Sequence, residues 1–252
     1  MRIGSRPYVS VAAVLAAAAL CAQGGARVPC DIQELKAAMD HYESLLRDQD
    51  TWTMRMEMLS YADERGGVVE DQGQTVLVRS GDRVYAEQLG MVTCQEGRLS
   101  ATADPEEKVV VLSDAAPVTE LMTRQRLNDL AATATRLTRR NTAMGVDFRL
   151  EFDPARSHFT YVEVGYDGRG YLAGIVMQWK RSVDPNLPIP AQVPHAPRVE
   201  LRATPPLVPS AKQIEEARSG MRARLRRAHA GDDYEAIGPW AGYRVVDTRP
   251  RR

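Results

Sequence analysis

Four histidines, His41, His158, His195 and His229, are the side chains best suited to proton transfer or metal binding near neutral pH. Each stands alone in a different kind of segment, with no second histidine or cysteine at ligand spacing. Acidic neighbours occur at Glu215-Glu216 and Asp232-Asp233, in charged stretches typical of solvated surface. The chain contains no GxSxG elbow, no HExxH, no GxGxxG between strand and helix and no phosphate-binding Walker pattern. These residues therefore predict no enzyme, no metal and no cofactor. A hydrolase of unrecognised type would need His41 or His158 beside a buried carboxylate in a pocket.

The remaining chemistry is apolar. Residues 51 to 58 read TWTMRMEM, which sets Trp52, Met54, Met56 and Met58 on one face of a strand and Thr53, Arg55 and Glu57 on the other. Valine and isoleucine are the usual choices for a strand facing a core. Methionine is unbranched and polarizable, so it either fills gaps in an ordinary core or lines a compliant wall for a ligand of variable shape. Further along, Tyr85 and Met91 fall on one side of RVYAEQLGMVTC, and Ile175, Met177 and Trp179 on one side of YLAGIVMQW. Together these nine residues form the predicted lining of a hydrophobic cavity.

The elements that must position them begin after an exported leader. Arg2 and Arg6 precede the apolar run Val9 to Leu20, which is too short to cross a bilayer comfortably, and CAQGGA supplies small residues for cleavage after Ala22 or Ala26. Residues 1–26 are thus expected to be a signal peptide and 27–252 a single exported domain. Cys21 follows Leu20, where a lipoprotein signal peptidase requires a small residue, so a soluble periplasmic protein is expected over a lipid-anchored outer-membrane one. The 33 basic and 33 acidic side chains balance, and loss of Arg2 and Arg6 leaves the mature chain at −2. That charge gives no basis for nucleic-acid binding. Cys30 and Cys94 remain, an even pair that an oxidising compartment would join as a disulfide, with two separate thiols as the alternative.

Asp31 is placed to cap a helix over IQELKAAMDHYESLL, with Ile32, Leu35, Met39, Tyr42 and Leu46 in one apolar stripe. From Trp52 the period changes to two, and glycine-bearing turns separate TWTMRMEMLSY, VVEDQGQTVLVR, RVYAEQLGMVTC and EKVVVLSD into an antiparallel meander. Pro117 is placed to open a second helix, PVTELMTRQRLNDLAATATRLTRR, with Val118, Leu121, Leu127 and Leu130 on its apolar side. Val146, Phe148, Leu150 and Phe152 then alternate in a strand, and HFTYVEVGYDGRGYLAGIVMQWKRS predicts a hairpin around its polar tip. The proline-rich stretch 183–197 excludes a central strand and reads as a long loop. After it come the strand PRVELRA, a basic helix over 210–229 and the short strand GYRVVDTR. Such a basic helix is open to transient contact with an anionic membrane surface, although a solvated face is the usual role.

This order, carried by WTMRMEM, TVLVRSGDRVYAEQ, EGRLSATADPEEKVVVLSD and VEVGYDGRGYLAGIVMQW leading to PRVELRA, resembles the periplasmic lipoprotein-carrier family, the LolA/LolB-like proteins. The resemblance spans residues 31 to 203 and implies a mainly β fold with covering helices, a half-open antiparallel β-barrel around a hydrophobic cavity. It implies a carrier or chaperone that binds the acyl chain of a lipoprotein or lipid, needing no catalytic group. It also implies a cavity arginine that contacts lid backbone groups; Arg79, in LVRSGD, matches best, and Arg55 lies on the polar face of its strand. The same fold would serve an envelope sensor or assembly factor that holds a protein partner.

Overall fold

The computed structural model describes residues 25–62, 66–88, 90–115, 124–153, 155–180, 196–228 and 233–249. The proposed leader through Gly24 and the proline-rich loop from 183 to 195 lie outside them. A short strand β1 (Val28–Pro29) leads into helix α1 (Ile32–Arg47). Strands β2 (Thr51–Tyr61), β3 (Val69–Ser80), β4 (Arg83–Gln88), β5 (Met91–Glu96), β6 (Leu99–Asp104) and β7 (Val109–Asp114) follow as a meander. Helix α2 (Arg124–Thr133) precedes β8 (Arg136–Thr142), β9 (Gly145–Glu151), β10 (Phe159–Asp167), β11 (Leu172–Trp179) and β12 (Arg198–Ala203). Helix α3 (Ala211–Ser219), the small hairpin β13 (Leu225–Arg227) and β14 (Tyr234–Ala236), and strand β15 (Arg244–Asp247) close the chain.

Thirteen strands form one sheet in the order β1-β8-β9-β10-β11-β12-β2-β3-β4-β5-β6-β7-β15. Every pairing is antiparallel except β15 against β7. The two ends, β1 and β15, do not meet, so the sheet stays open. Tight turns space the meander. Gly81 at φ 64° and Gly97 at φ 60° occupy the left-handed region that side chains with a Cβ avoid.

Local chemistry sets α1. Asp31 accepts the Gln33 amide at 2.9 Å, and Glu34 reaches back to the Asp31 amide at 3.3 Å, completing a capping box. Leu35, Met39, Tyr42 and Leu46 of the expected stripe are buried. They pack on the sheet face that carries Trp52, here called the inner face, beside Leu127 of α2. The strands β9, β10 and β11 add Phe148, Leu150, Val162, Val164 and Ile175 to this core.

The opposite, outer face is divided. Over β8 to β10 it carries a charged ladder in which Arg140 meets Asp147 at 2.6 Å and Arg149 meets Glu163 at 3.4 Å, with Arg27 also bonded to Glu163. Over β3 to β7 it is apolar instead. Val78, Tyr85, Cys94, Ala101, Val110 and Leu112 are buried there beneath Ala217, Met221, Leu225, Ala236 and Trp240 from α3 and the segment after it. The apolar core thus lies on the inner face through β8–β12 and β2, on the outer face through β5–β7, and on both faces where β3 and β4 lie between.

Four sequence expectations need correction. RVYAEQLGMVTC is two strands with a turn at Gly90, φ 81°, because the left-handed residue reverses the chain. The second helix ends at Thr133, and the RLTRRNT that follows is strand β8, whose Leu137 and Thr138 alternate between faces opposite Leu150 and Arg149. The basic helix ends at Ser219 rather than 229, because Leu225 turns back to be buried under the sheet and Leu225–Arg227 pairs with β14. Cys30 and Cys94 are both free thiols. Cys30 packs against the inner core and Cys94 is buried in the outer one, so the sheet itself separates them.

Burial pushes the Cys94 thiol up to about 11 and also raises that of Cys30. Protein that begins after Ala26 is therefore expected to take up two alkyl groups when denatured without reductant, and in the folded state to label Cys30 before Cys94. Intact-mass spectrometry reads both results, and a denatured protein that resists labelling until reduced would restore the disulfide.

Candidate functional site

Register places the predicted lining residue by residue. Trp52 faces Arg79, Met54 faces Leu77, Met56 faces Thr75 and Met58 faces Gly73 across β2 and β3. On its other side β2 sets Met56 against Ala203 and Met58 against Leu201 of β12. Leu201 in turn faces Ile175, and Val199 faces Met177. Trp52, Met54, Met56, Met58, Ile175 and Met177 therefore share the inner face, and Trp179 joins them by alternation, its ring 4.9 Å from that of Phe159.

Burial divides these residues into two groups. Trp52 and Met54 are 0% and 1% exposed, packed by the chain itself under α1. The Tyr42 hydroxyl donates to the Met54 sulfur at 3.8 Å. They are core. Beyond the contact of Tyr42 with Met54 the same strand keeps its methionines, and Met56 and Met58 are only half-buried. Met177, Val199, Leu201 and Ala203 beside them are also half-buried. The strand PRVELRA thus contributes Val199, Leu201 and Ala203 to the apolar wall; their alternation in the sequence was signal enough to include them.

Tyr85 is a further correction. It pairs with Val78 and Cys94 on the outer face, buried beneath the C-terminal segment with Arg224 5.5 Å from its ring. Alternation carried unbroken from Gln88 to Met91 put it on the side of Met91, but the turn at Gly90 changes which parity faces inward. Met91 does lie on the inner face, opposite Gln88, and is 38% exposed.

Arg79 lies on the inner face at the end of α1. Its Nη1 donates to the Leu46 carbonyl at 2.9 Å and its Nε to that of Gly81 at 3.0 Å. The Trp52 indole donates to the same Leu46 carbonyl at 3.2 Å. Two donors thereby satisfy a helix-end acceptor that has no partner within its own helix. Gln49, just beyond α1, donates to the Tyr171 hydroxyl at 2.9 Å. The β10–β11 tip also abuts α1: Gly170 sits at φ 90°, and a Cβ there would stand 2.3 Å from His41 Cδ2. The C-terminal half of α1 is therefore tied to the sheet at several points. Burial holds the phenols of Tyr42 and Tyr166 well above their ordinary pKa, so both remain neutral donors.

Of the titratable candidates, His41 is an exposed helix residue against Gly170, and His158 is exposed with its carbonyl accepting the Lys180 amide at 2.9 Å. His195 and His229 lie outside the described residues. Glu216 pairs with Lys212 at 3.8 Å one turn away in α3. Among the described residues no three histidine, cysteine or acidic side chains gather as a metal site, and no helix is long and apolar enough to cross a membrane. Helix α3 packs on the outer face, with Ala217 buried, Arg218 donating to the Ser80 hydroxyl at 3.2 Å and Arg222 of the following turn paired with Glu96 at 3.0 Å.

No family model and no curated protein matches the sequence. Solved structures do match. A LolA superfamily protein from Nitrosomonas europaea is 8% identical at a TM-score of 0.30, over 69% of this chain and 93% of its own. The lipoprotein LppX of Mycobacterium tuberculosis is 10% identical at a TM-score of 0.33, over 71% and 98%. A putative outer membrane lipoprotein-sorting protein domain from Vibrio parahaemolyticus is 7% identical at 0.29, over 73% and 97%. Likenesses at such TM-scores carry nothing about the site, whose chemistry is read from the chain's own geometry.

Proposed function

We propose that this chain is an exported carrier or chaperone that holds the acyl chain of a lipoprotein or lipid against the inner face of its sheet. One observation carries the reading: the apolar wall continues along β2 beyond the residues that α1 packs, so that Met56, Met58, Met177 and Leu201 form a half-buried surface at the edge of the inner core. Acyl chains have no fixed shape, and unbranched methionines repack around them with little rotamer strain. Each methylene removed from water contributes about 0.8 kcal/mol, so part of one chain gives useful reversible affinity. Nothing in this role requires a reacting group. The periplasm is the expected compartment, reached by export under the leader, which is then removed.

Uptake of a dansyl-labelled fatty acid tests the reading directly. Fluorescence is expected to rise and shift to the blue on mixing with the purified mature domain, and an unlabelled long-chain fatty-acid ester is expected to reverse it. Native mass spectrometry of protein taken from its own envelope fraction is expected to show a bound lipid. Absence of both signals would overturn the carrier role.

A further inference from the structure

The inner face is not apolar throughout. Following the row of Met54 across the sheet, Leu77 and Ala86 give way to Thr93 on β5 and Thr102 on β6. The next row toward the β6 start places Gln95 opposite Ser100, with Ser113 beyond on β7. The two threonine hydroxyls lie 2.9 Å apart, and Gln95 donates to the Ser100 hydroxyl at 3.4 Å. Gln95 and Ser100 are each 5% exposed and so out of reach, whereas Thr93 and Thr102 are half-buried. Their neighbour Val111 is 38% exposed, which leaves that side of the pair open.

Two hydroxyls that share one hydrogen bond still have a free O–H and unused lone pairs, so the pair can both donate to and accept from a third group. Among the described inner-face residues of β5, β6 and β7 there is no lysine or arginine, and the one charged side chain, Asp104, accepts the amides of Glu106 and Glu107. On β3 the inner-face cation Arg79 is turned to the end of α1, where it donates two of its five N–H groups to the carbonyls of Leu46 and Gly81. A carboxylate or phosphate headgroup would be desolvated here without a counter-charge, which is costly, while an uncharged hydroxyl-bearing head would be matched. Three strand spacings, about 14 Å, separate Met56 on β2 from the pair on β5. That span suits a head held on β5 and β6 with its tail on the methionine side.

Resting on the acyl-carrier reading, we infer that the inner face selects an uncharged lipid with a hydroxylated head, glycerol or sugar, over a free fatty acid or an anionic phospholipid. Displacement of the dansyl fatty acid by monooleoylglycerol, glucose monooleate, methyl oleate and oleate tests this, with the two hydroxylated esters separating glycerol from sugar. The better hydroxylated ester is expected to displace the probe at a concentration about tenfold lower than methyl oleate, the worth of one or two hydrogen bonds. The double substitution Thr93→Val and Thr102→Val removes only the hydroxyls and keeps strand-favouring side chains. It is expected to bring the esters level with methyl oleate unchanged, while Thr93→Ser with Thr102→Ser retains the preference. Equal displacement by all the esters, tighter displacement by oleate, or a preference that survives the valine pair would overturn the inference while leaving the carrier standing. A wild-type protein that takes up no probe at all would end both.

Discussion

Met56→Glu is expected to abolish uptake of the fatty-acid probe while the far-ultraviolet circular dichroism of the protein stays unchanged. Met56 sits on the inner face between Ala203 and Thr75, half-buried and next to the residues that α1 packs. In the free protein a carboxylate at such a position can turn toward water, so the fold loses little stability. Under a bound acyl chain it would be buried without a partner, at a cost of at least about 3 kcal/mol, which weakens binding by more than about a hundredfold. Met54, two residues earlier, is the control. It is 1% exposed beneath Tyr42, and Met54→Glu is expected to unfold the protein rather than merely empty it. Probe uptake by Met56→Glu at wild-type strength would remove this part of the sheet from the site, whereas loss of structure in both variants would mean that the wall ends in solid core.

Truncation after Thr204 is expected to leave the protein insoluble, or in any soluble fraction partly molten and bound by a dye for exposed apolar surface. The segment removed supplies Ala217, Met221, Leu225, Ala236 and Trp240, which cover the outer rows of β3 to β7. Those rows hold Val78, Tyr85, Val110 and Leu112, each 8% exposed or less. At about 1.5–3 kcal/mol per large apolar side chain, uncovering them costs on the order of 10 kcal/mol, comparable with the whole stability of a domain. It also strips β15 from β7 and opens a new sheet edge. A soluble truncated chain with an unchanged melting temperature would show that the C-terminal segment is an appendage and not a second cover.

Much of the architecture can be read directly in the amino-acid order, because helix and strand periods are local properties. The stripe of α1, its Asp31 cap, the alternation in β2 and the β10–β11 hairpin all derive from spacings of two to four residues. Reading failed where a local signal was ambiguous. ATRLTRR sits beside a helix and has helix-compatible arginines, yet its leucine and threonine alternate across a sheet, and only pairing with β9 decides in favour of the strand. Leu89-Gly90 is a weak turn signal inside an apolar run, and missing it reversed the face assigned to Tyr85. The two cysteines looked like a pair because sequence spacing carries no information on which side of a sheet each one faces.

The amino-acid order by itself determined that strands would alternate an apolar face with a polar one, that an amphipathic helix would seek a sheet, and that methionines would crowd the first long strand. Tertiary structure alone decided that Trp52 and Met54 are core while Met56 and Met58 are half-buried, since that depends on which part of the strand α1 overlies. It alone decided that the apolar core passes from the inner to the outer side of the sheet between β2 and β5, with α3 and the segment after it covering the outer rows. The physical reason is that period is set by the backbone of one element, whereas burial is set by whatever segment, however distant in the chain, comes to lie on top of it.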